Sequence, residues 1–445
     1  MDKIFTAEIT GLTNDGAGIA KFNNLAVFTD GALPGDICEI KIIKANKNYA
    51  YGKLIKIIEP SADRVKPVCR VSERCGGCAL QALDYQAQLR LKRDIILNCL
   101  ERIGGVKDAR VSEPAGMSEP YYYRNKAQLP VKQNKRNNNL TDIGFYARRT
   151  HDIININSCV ITCAQSELII KIFRDYFKSN NTAYDEQAHT GIIRHIFIRA
   201  GFKTGELMIG IVAANLKQGG NLPGADKLVS ELAQIDGVAS IILNYNSERT
   251  NIILGKTNKI LYGRDFIYDY IADKKFKISL NSFYQVNPVQ AERLYAEALE
   301  LAQVNQDCTC IDAYSGIGTI ALAFAPFVKK IYGVELIDQA ILDARENAAI
   351  NNISNAEFIT GRAELIIPEL VTRENIDLII FDPPRKGCDI KLLECVLAAK
   401  IKKIIYISCD PATMARDIKI LCAGGYKLAQ VQPFDMFPHT LISNA

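Results

Sequence analysis

The stretch Thr309-Cys310-Ile311-Asp312-Ala313-Tyr314-Ser315-Gly316-Ile317-Gly318-Thr319 decides the fold. A short apolar run closes on an acid, turns through two glycines and enters an apolar helical pattern: the strand, loop and helix that open an α/β sheet. Behind this first strand at 309–314, candidate strands recur at 330–335, 356–360, 376–381, 403–408 and 426–433, with helical patterns between them. Such alternation, from about residue 276 onward, predicts a doubly wound, mostly parallel sheet.

In sheets of this kind ligands collect outside the carboxyl ends of the strands. Gly316 and Gly318 let the backbone approach a nucleoside without Cβ clashes, and Glu335, ending the second strand, can accept both ribose hydroxyls. The loop lacks the three-glycine dinucleotide fingerprint and its helix lacks the lysine of a phosphate-binding loop, which implies a cofactor without pyrophosphate, S-adenosylmethionine being the candidate. The fourth strand ends in Asp382-Pro383-Pro384-Arg385-Lys386-Gly387, a stiff floor whose Asp382 can bond to cofactor or substrate. An aromatic residue in the fourth place would favour methylation of an exocyclic amine. Arg385 stands there instead and leaves carbon methylation, which needs a nucleophile.

The run Ile404-Ile405-Tyr406-Ile407-Ser408-Cys409-Asp410-Pro411-Ala412-Thr413 supplies one, delivering Cys409 at a strand's carboxyl end. C5 of a pyrimidine is a poor nucleophile until a group adds to C6, which a thiolate can do. An ordinary cysteine, with a pKa of about 8.5, needs help from a cation or a helix N-terminus, here the helix expected near Ala412.

Upstream, residues 1–59 hold short alternating strands with turn signals between them, the pattern of a small barrel of about five strands. Lys41, Lys44, Lys47, Lys53 and Lys56 give it a basic side suited to nucleic acid. A helical pattern over 83–103 stops at Gly104-Gly105, and residues 120–275 read as strands with a few helices. There, Tyr121-Tyr122-Tyr123-Arg124-Asn125-Lys126, Lys132, Lys135-Arg136 and Arg148-Arg149 interleave aromatic and cationic side chains, a mixture suited to phosphate contacts and base stacking. The Asn137-Asn138-Asn139 run reads as a surface turn.

Cys69, Cys75 and Cys78, with Gly76-Gly77 between the last two, place three thiols close together, a pattern for zinc or an iron-sulfur cluster. Cys159 and Cys163 both qualify as the fourth ligand. Cys38, Cys99, Cys308, Cys310, Cys388, Cys395 and Cys422 have no partner at ligand spacing and read as core or surface thiols. The 445 residues, 48% hydrophobic and 23% charged, call for more than one domain with a real core, and the net charge of +5 permits an acidic partner without demanding one. No run is long enough for a membrane span, and residues 1–11 alternate like a strand instead of forming a signal peptide, so a cytoplasmic protein is expected.

Together these motifs resemble the bacterial RNA (uracil-C5-)-methyltransferases, in particular those that make 5-methyluridine in 23S ribosomal RNA. The resemblance covers nearly the whole chain. It implies a TRAM (OB-like) barrel over 1–59, a central α+β domain with an iron-sulfur cluster over 60–275, and a Rossmann-like S-adenosylmethionine methyltransferase domain over 276–445. It implies Cys69, Cys75, Cys78 and Cys159 as ligands of a [4Fe-4S] cluster, Gln285 in Phe283-Tyr284-Gln285-Val286-Asn287 together with Tyr314, Glu335 and Asp382 at the cofactor, and Cys409 as the nucleophile. It implies ribosomal RNA, ahead of transfer RNA, as the partner acted on; a monomer is expected. Met436-Phe437-Pro438-His439-Thr440 begins the family's last motif, which continues to His-hydrophobic-Glu and a closing strand. Here Asn444 falls where the proton-abstracting glutamate is expected, and an amide is no general base at neutral pH. The expectation is therefore an altered or truncated C-terminus without the last strand, and an enzyme that forms its adduct more readily than it resolves it.

Overall fold

The computed structural model describes residues 3–13, 15–134 and 140–445. Lys135, Arg136 and the 137–139 asparagines lie outside them. Six strands form the N-terminal sheet, in the order Ile4–Glu8, Ile37–Ala45, Tyr49–Glu59, Leu25–Thr29, Gly18–Phe22, Gly11–Leu12. The single strand expected over 7–12 is split in two. Ile9 N–H bonds to Asp36 O at 2.9 Å while Thr10 N–H bonds to Ile19 O at 2.9 Å, so the chain changes partners within two residues. Ile9, Ala20, Val27, Ile40 and Ala50 fill the interior, and the alternate positions face outward.

The helix expected over 83–103 forms as Tyr85–Cys99, capped by Asp84, whose carboxylate accepts from the Gln86 and Ala87 amides. A wide turn over Leu100–Gly104 and the left-handed Gly105 (φ 72°) end it, as the glycine pair foretold. A seven-stranded mixed sheet follows, ordered Thr257–Gly263, Val238–Tyr245, Leu207–Ala213, Ile193–Ala200, Lys126–Asn134, Leu140–Tyr146, Ile153–Asn155. Helices Ser166–Ser179 and Ala225–Ala233 share a core with one face. Phe197, Met208 and Ile242 of its strands join instead the core of the C-terminal sheet, through the hairpin Phe266–Ile271 and Lys274–Ser279. The seam expected at 275/276 falls inside that hairpin.

The C-terminal sheet has five parallel strands: β1 (Thr309–Asp312), β2 (Lys330–Glu335), β3 (Ala356–Thr360), β4 (Leu378–Phe381) and β5 (Lys403–Tyr406), in spatial order 3-2-1-4-5. The order reverses beside β1, which makes the crevice over the β1 and β4 carboxyl ends the place for a ligand. The sixth strand expected over 426–433 does not form. Val431 N–H bonds to Arg110 O at 2.9 Å and Ala115 N–H to Pro433 O at 2.8 Å, so this segment pairs with residues 110–115, and a cavity of about 610 Å³ separates it from β5. Among the described residues no helix is long and apolar enough to cross a membrane.

Candidate active site

The β1–helix loop holds its shape through two left-handed glycines, Gly316 (φ 54°) and Gly318 (φ 86°). A Cβ on Gly318 would stand 2.9 Å from the Phe358 ring, whereas one on Gly316 would meet only open space. Glu335, at the end of β2, accepts the Gly316 amide on one carboxylate oxygen (3.2 Å) and the Ile337 amide on the other (3.0 Å). Each oxygen keeps a lone pair for a hydroxyl group. Beneath the loop the wholly buried Asp312 accepts the Ala321 amide at 3.1 Å on one oxygen, and its other oxygen has no partner. Burial, then the neighbouring Asp382, raise its pKa to about 7.

Asp382 ends β4, and burial raises its carboxyl to about 7 as well. Gln285 Nε2 donates to it at 3.4 Å. The Gln285 segment is held from outside by Asn125, which donates from its backbone to Val286 O and from its side chain to Gln285 O, both at 2.9 Å. Tyr314 is half-buried, and burial chiefly, then Cys388, raise its hydroxyl's pKa. Gln285, Tyr314, Glu335 and Asp382 line one cavity of about 910 Å³, and Cys409 and Asn444 line it with them.

Cys409 sits in the turn between β5 and helix Pro411–Ala423. Ser408 accepts the Asp410 amide at 3.0 Å and donates to Asp410 O at 2.9 Å, which fixes the turn. The helix N-terminus does not serve Cys409 as expected. Asp410 caps it, taking the Ala412 and Thr413 amides at 3.0 Å each, so the free N–H groups and the positive end of the dipole face that carboxylate. The thiol's pKa is raised, by burial first and by Asp382 next, with Arg385 pulling the other way. The loop carrying Arg385 is tied to the same helix: Thr413 Oγ1 donates to Arg385 O (3.1 Å), Arg416 to Lys386 O (3.0 Å), and Cys388 N–H to Asp417 (2.8 Å).

Cys409, Arg385 and Ile442 also line a second cavity of about 760 Å³, whose other walls include Asp15 of the barrel, Gly76 and Gly77 of the cysteine loop, and Arg124, Tyr146, Arg148 and Arg149 of the central domain. The thiol therefore stands where a cavity for a nucleoside cofactor meets one lined by cations. Asn444 reaches this junction because Ala445 pairs with Ser408 through two backbone hydrogen bonds of 2.7 and 3.1 Å; its side-chain oxygen is buried without a partner.

The aromatic and cationic run 121–126 only partly faces outward. Tyr123 is fully buried with its hydroxyl on Pro438 O (3.1 Å), Tyr121 stacks on His439 at 4.6 Å, and Tyr122 is the exposed member. The Tyr121 and Tyr123 rings are thus packing groups, not a base-stacking surface, while Arg148 and Arg149 do face the cationic cavity.

Cys69, Cys75, Cys78 and Cys159 line one cavity of about 260 Å³ together with Arg124 and Lys126; Cys163 is not among its walls. Burial raises the pKa of Cys75, of Cys78 to about 12, and of Cys159, and further cysteines of the set add to each rise. Among the described residues no three His, Cys, Asp or Glu side chains are grouped so as to hold a metal ion.

A group the motifs did not mark lies behind the cavity. Lys92, 2% exposed on helix Tyr85–Cys99, pairs with Asp435 and donates to Phe437 O at 3.0 Å, and Tyr85 donates to Asp435 at 2.8 Å. Gln88 on the same helix accepts the His439 amide at 3.0 Å. Met436 and Phe437, between these anchors, are walls of the cofactor cavity. The one sequence signal was a lysine on the apolar side of a helical pattern.

An adenosine-type crevice that opens on a cysteine instead of a second nucleotide site places the protein in the class of S-adenosylmethionine-dependent methyltransferases. The profile described as tRNA (Uracil-5-)-methyltransferase matches residues 249–443, and that of the TRAM domain residues 3–55. An RNA methyltransferase of Clostridium tetani is 47% identical over 97% of this chain and 93% of its own length, and one of Bacillus cereus is 45% identical over 96% and 93%. The chain belongs to the tRNA (uracil-5-)-methyltransferase family of RNA methyltransferases. Among solved structures, the Pyrococcus abyssi tRNA (uracil-54, C5)-methyltransferase in complex with S-adenosyl-L-homocysteine superposes with a TM-score of 0.79 at 27% identity, covering 99% of this chain and 98% of that one.

Proposed function

We propose that the protein methylates C5 of a uridine in 23S ribosomal RNA through a transient bond between Cys409 Sγ and C6 of the base. The observation that carries this reading is the position of Cys409 at the meeting of the two cavities, one suited to the cofactor and one lined by cations. The residues fit S-adenosylmethionine: Glu335 has lone pairs for its ribose, Gly316 leaves room for its adenosine, and Asp382 with Gln285 forms the floor. The bound cofactor supplies an electrophilic methyl group on its sulfonium sulfur. Cys409 as thiolate adds to C6 and makes C5 nucleophilic. After C5 is methylated its proton must go to a base, and re-formation of the C5–C6 double bond expels the thiolate. Arg385 favours the thiolate, and the target base is extruded from RNA structure to reach it. Asn444 cannot take the proton, so the adduct is expected to outlive methyl transfer.

Methyl transfer from labelled S-adenosylmethionine to ribosomal RNA, with the product nucleoside identified, tests the reading. The expected product is 5-methyluridine, together with a denaturant-stable protein–RNA band that Cys409→Ala abolishes. Methyl on an exocyclic amine, or full activity of Cys409→Ala, overturns it. Transfer RNA is the second reading. It is favoured by the tRNA substrate named for the Pyrococcus abyssi neighbour, and supplying both RNAs in the same assay decides between them.

We further propose a [4Fe-4S] cluster on Cys69, Cys75, Cys78 and Cys159, in the cytoplasm and in a monomer. The four thiols line one cavity with Cys163 outside it, and though they are not drawn together at ligand distance, four cysteines are the donor set that such a cluster takes. Bound there, the cluster would cross-link the cysteine loop to the segment at Cys159 and so hold one wall of the cationic cavity. Anaerobic purification should give a brown protein with about four irons per chain, and a colourless, iron-free protein overturns this part.

A further inference from the structure

The outer face of the barrel carries aromatic side chains where the strand period calls for polar ones. Along Tyr49–Glu59 the inward positions Ala50 and Gly52 are buried, and the alternate positions Tyr49, Tyr51 and Lys53 face out. Phe28 is the outward residue of Leu25–Thr29 between buried Val27 and Thr29, and is in register with Tyr51. On the other side, Lys44 of the antiparallel strand lies opposite Tyr51 and is exposed. The three rings form one patch: Phe28 to Tyr49 5.5 Å between centroids at 32°, Phe28 to Tyr51 6.2 Å at 65°, and Tyr49 to Tyr51 5.6 Å at 89°. They do not serve the barrel core, which is built from the opposite face.

The patch continues into the cavity at Cys409. Arg149 of the central domain donates to Asp15 (Nε to Oδ2, 3.1 Å) and reaches Asp30 (3.4 Å), just past the strand that holds Phe28. The pKa of the Tyr51 hydroxyl is raised chiefly by Tyr49, and Arg149 opposes the rise. Arg149 and Asp15 both line the cavity that Cys409 lines.

We infer that Phe28, Tyr49 and Tyr51, flanked by Lys44, Lys53 and Arg149, are a stacking platform for unpaired bases of the RNA strand that leads to the target uridine. The inference rests on the proposed RNA substrate and adds a subsite to it. Half-exposed rings among cations match a single strand, which offers flat base faces and phosphates together, and this charge complementarity with the continuity to the Cys409 cavity selects RNA as the occupant. A duplex keeps its bases stacked on one another and offers only the phosphates.

Fluorescence anisotropy of the full chain with a labelled single-stranded RNA of mixed sequence, and with the same sequence as a duplex, tests it. Tyr49→Ala and Tyr51→Ala should each weaken single-strand binding about tenfold, following the 1–3 kcal/mol that a stacked base is worth. They should leave duplex binding and the salt slope unchanged, while Tyr51→Phe keeps wild-type affinity. Lys44→Gln and Lys53→Gln should weaken both RNAs and lower the salt slope by about 0.7 each on the single strand. S-adenosylmethionine binding, measured by calorimetry on the same variants, reports an intact fold. Equal single-strand affinity of the alanine variants and wild type overturns the platform while leaving the substrate reading intact. Loss of duplex binding to the same degree also overturns it. Failure of the wild type to bind any RNA overturns both.

Discussion

Cys409 is half-buried, and burial first and Asp382 next push its thiol toward the protonated form, with Arg385 the larger of the two influences that favour the thiolate. The sign of the pH dependence follows. A raised thiol pKa means that the reactive fraction keeps growing as pH climbs past the ordinary cysteine value of about 8.5. Alkylation of Cys409 by iodoacetamide, followed against pH, should therefore show an alkaline limb above that of a free cysteine, and Arg385→Gln should move it further up. Superposable wild-type and Arg385→Gln profiles would show that the guanidinium does not reach the sulfur. Asn444 makes the other prediction at this scale. Its side-chain oxygen is buried at the Cys409 cavity with no partner, so Asn444→Glu puts a carboxylate on a side chain one methylene longer, its pKa lifted by burial, where the C5 proton must leave. Positioned bases contribute about 10²–10⁴-fold. Turnover should rise at least tenfold and the covalent RNA band should fade on a denaturing gel, whereas fast multiple turnover by the unaltered chain would mean that another group already takes the proton.

The β1–helix loop shows how much of the site is set by one element. Gly318→Ala meets both a positive φ of 86° and the Phe358 ring at 2.9 Å, while Gly316→Ala meets only its φ of 54°. A strained left-handed residue costs about 1–3 kcal/mol. Gly316→Ala should stay at the low end by chemical denaturation and Gly318→Ala should exceed it, with a larger loss of S-adenosylmethionine affinity by calorimetry; equal costs would show that Phe358 yields freely. Gln285, Tyr314, Glu335, Asp382 and Cys409 line one cavity. Glu335, Asp382 and Cys409 stand out in the sequence because each closes or follows a segment whose period marks a strand, and strand ends are where such sheets bind, whereas Gln285 and Tyr314 are singled out only by the family resemblance. The same rule misled at 426–433, where an apolar, strand-like run pairs with residues 110–115, a choice no local pattern records. Tyr121 and Tyr123 were misjudged for a related reason: their partners His439 and Pro438 lie over three hundred positions away along the chain, and nothing near them shows that the rings turn inward.

Across the whole molecule, the buried Lys92–Asp435 pair joins residues 343 positions apart and ties the helix after the cysteine loop to the wall of the cofactor cavity. Taking both charges out of water costs several kcal/mol each, which their attraction offsets only while both are present. Burial lowers the Lys92 pKa and Asp435 opposes that change. Lys92→Met leaves Asp435 buried with the Tyr85 hydroxyl alone on its carboxylate, and should cost about 3–5 kcal/mol in urea unfolding. Lys92→Met with Asp435→Leu removes both charges and should recover most of that loss. It does not return the donor that Lys92 gives to Phe437 O, and Phe437 with Met436 faces the cofactor. The double variant should therefore regain stability while its S-adenosylmethionine affinity stays several-fold below that of the wild type. If stability and cofactor affinity recover together, the pair serves the fold alone, and the cavity wall is positioned by His439 and Gln88 without it.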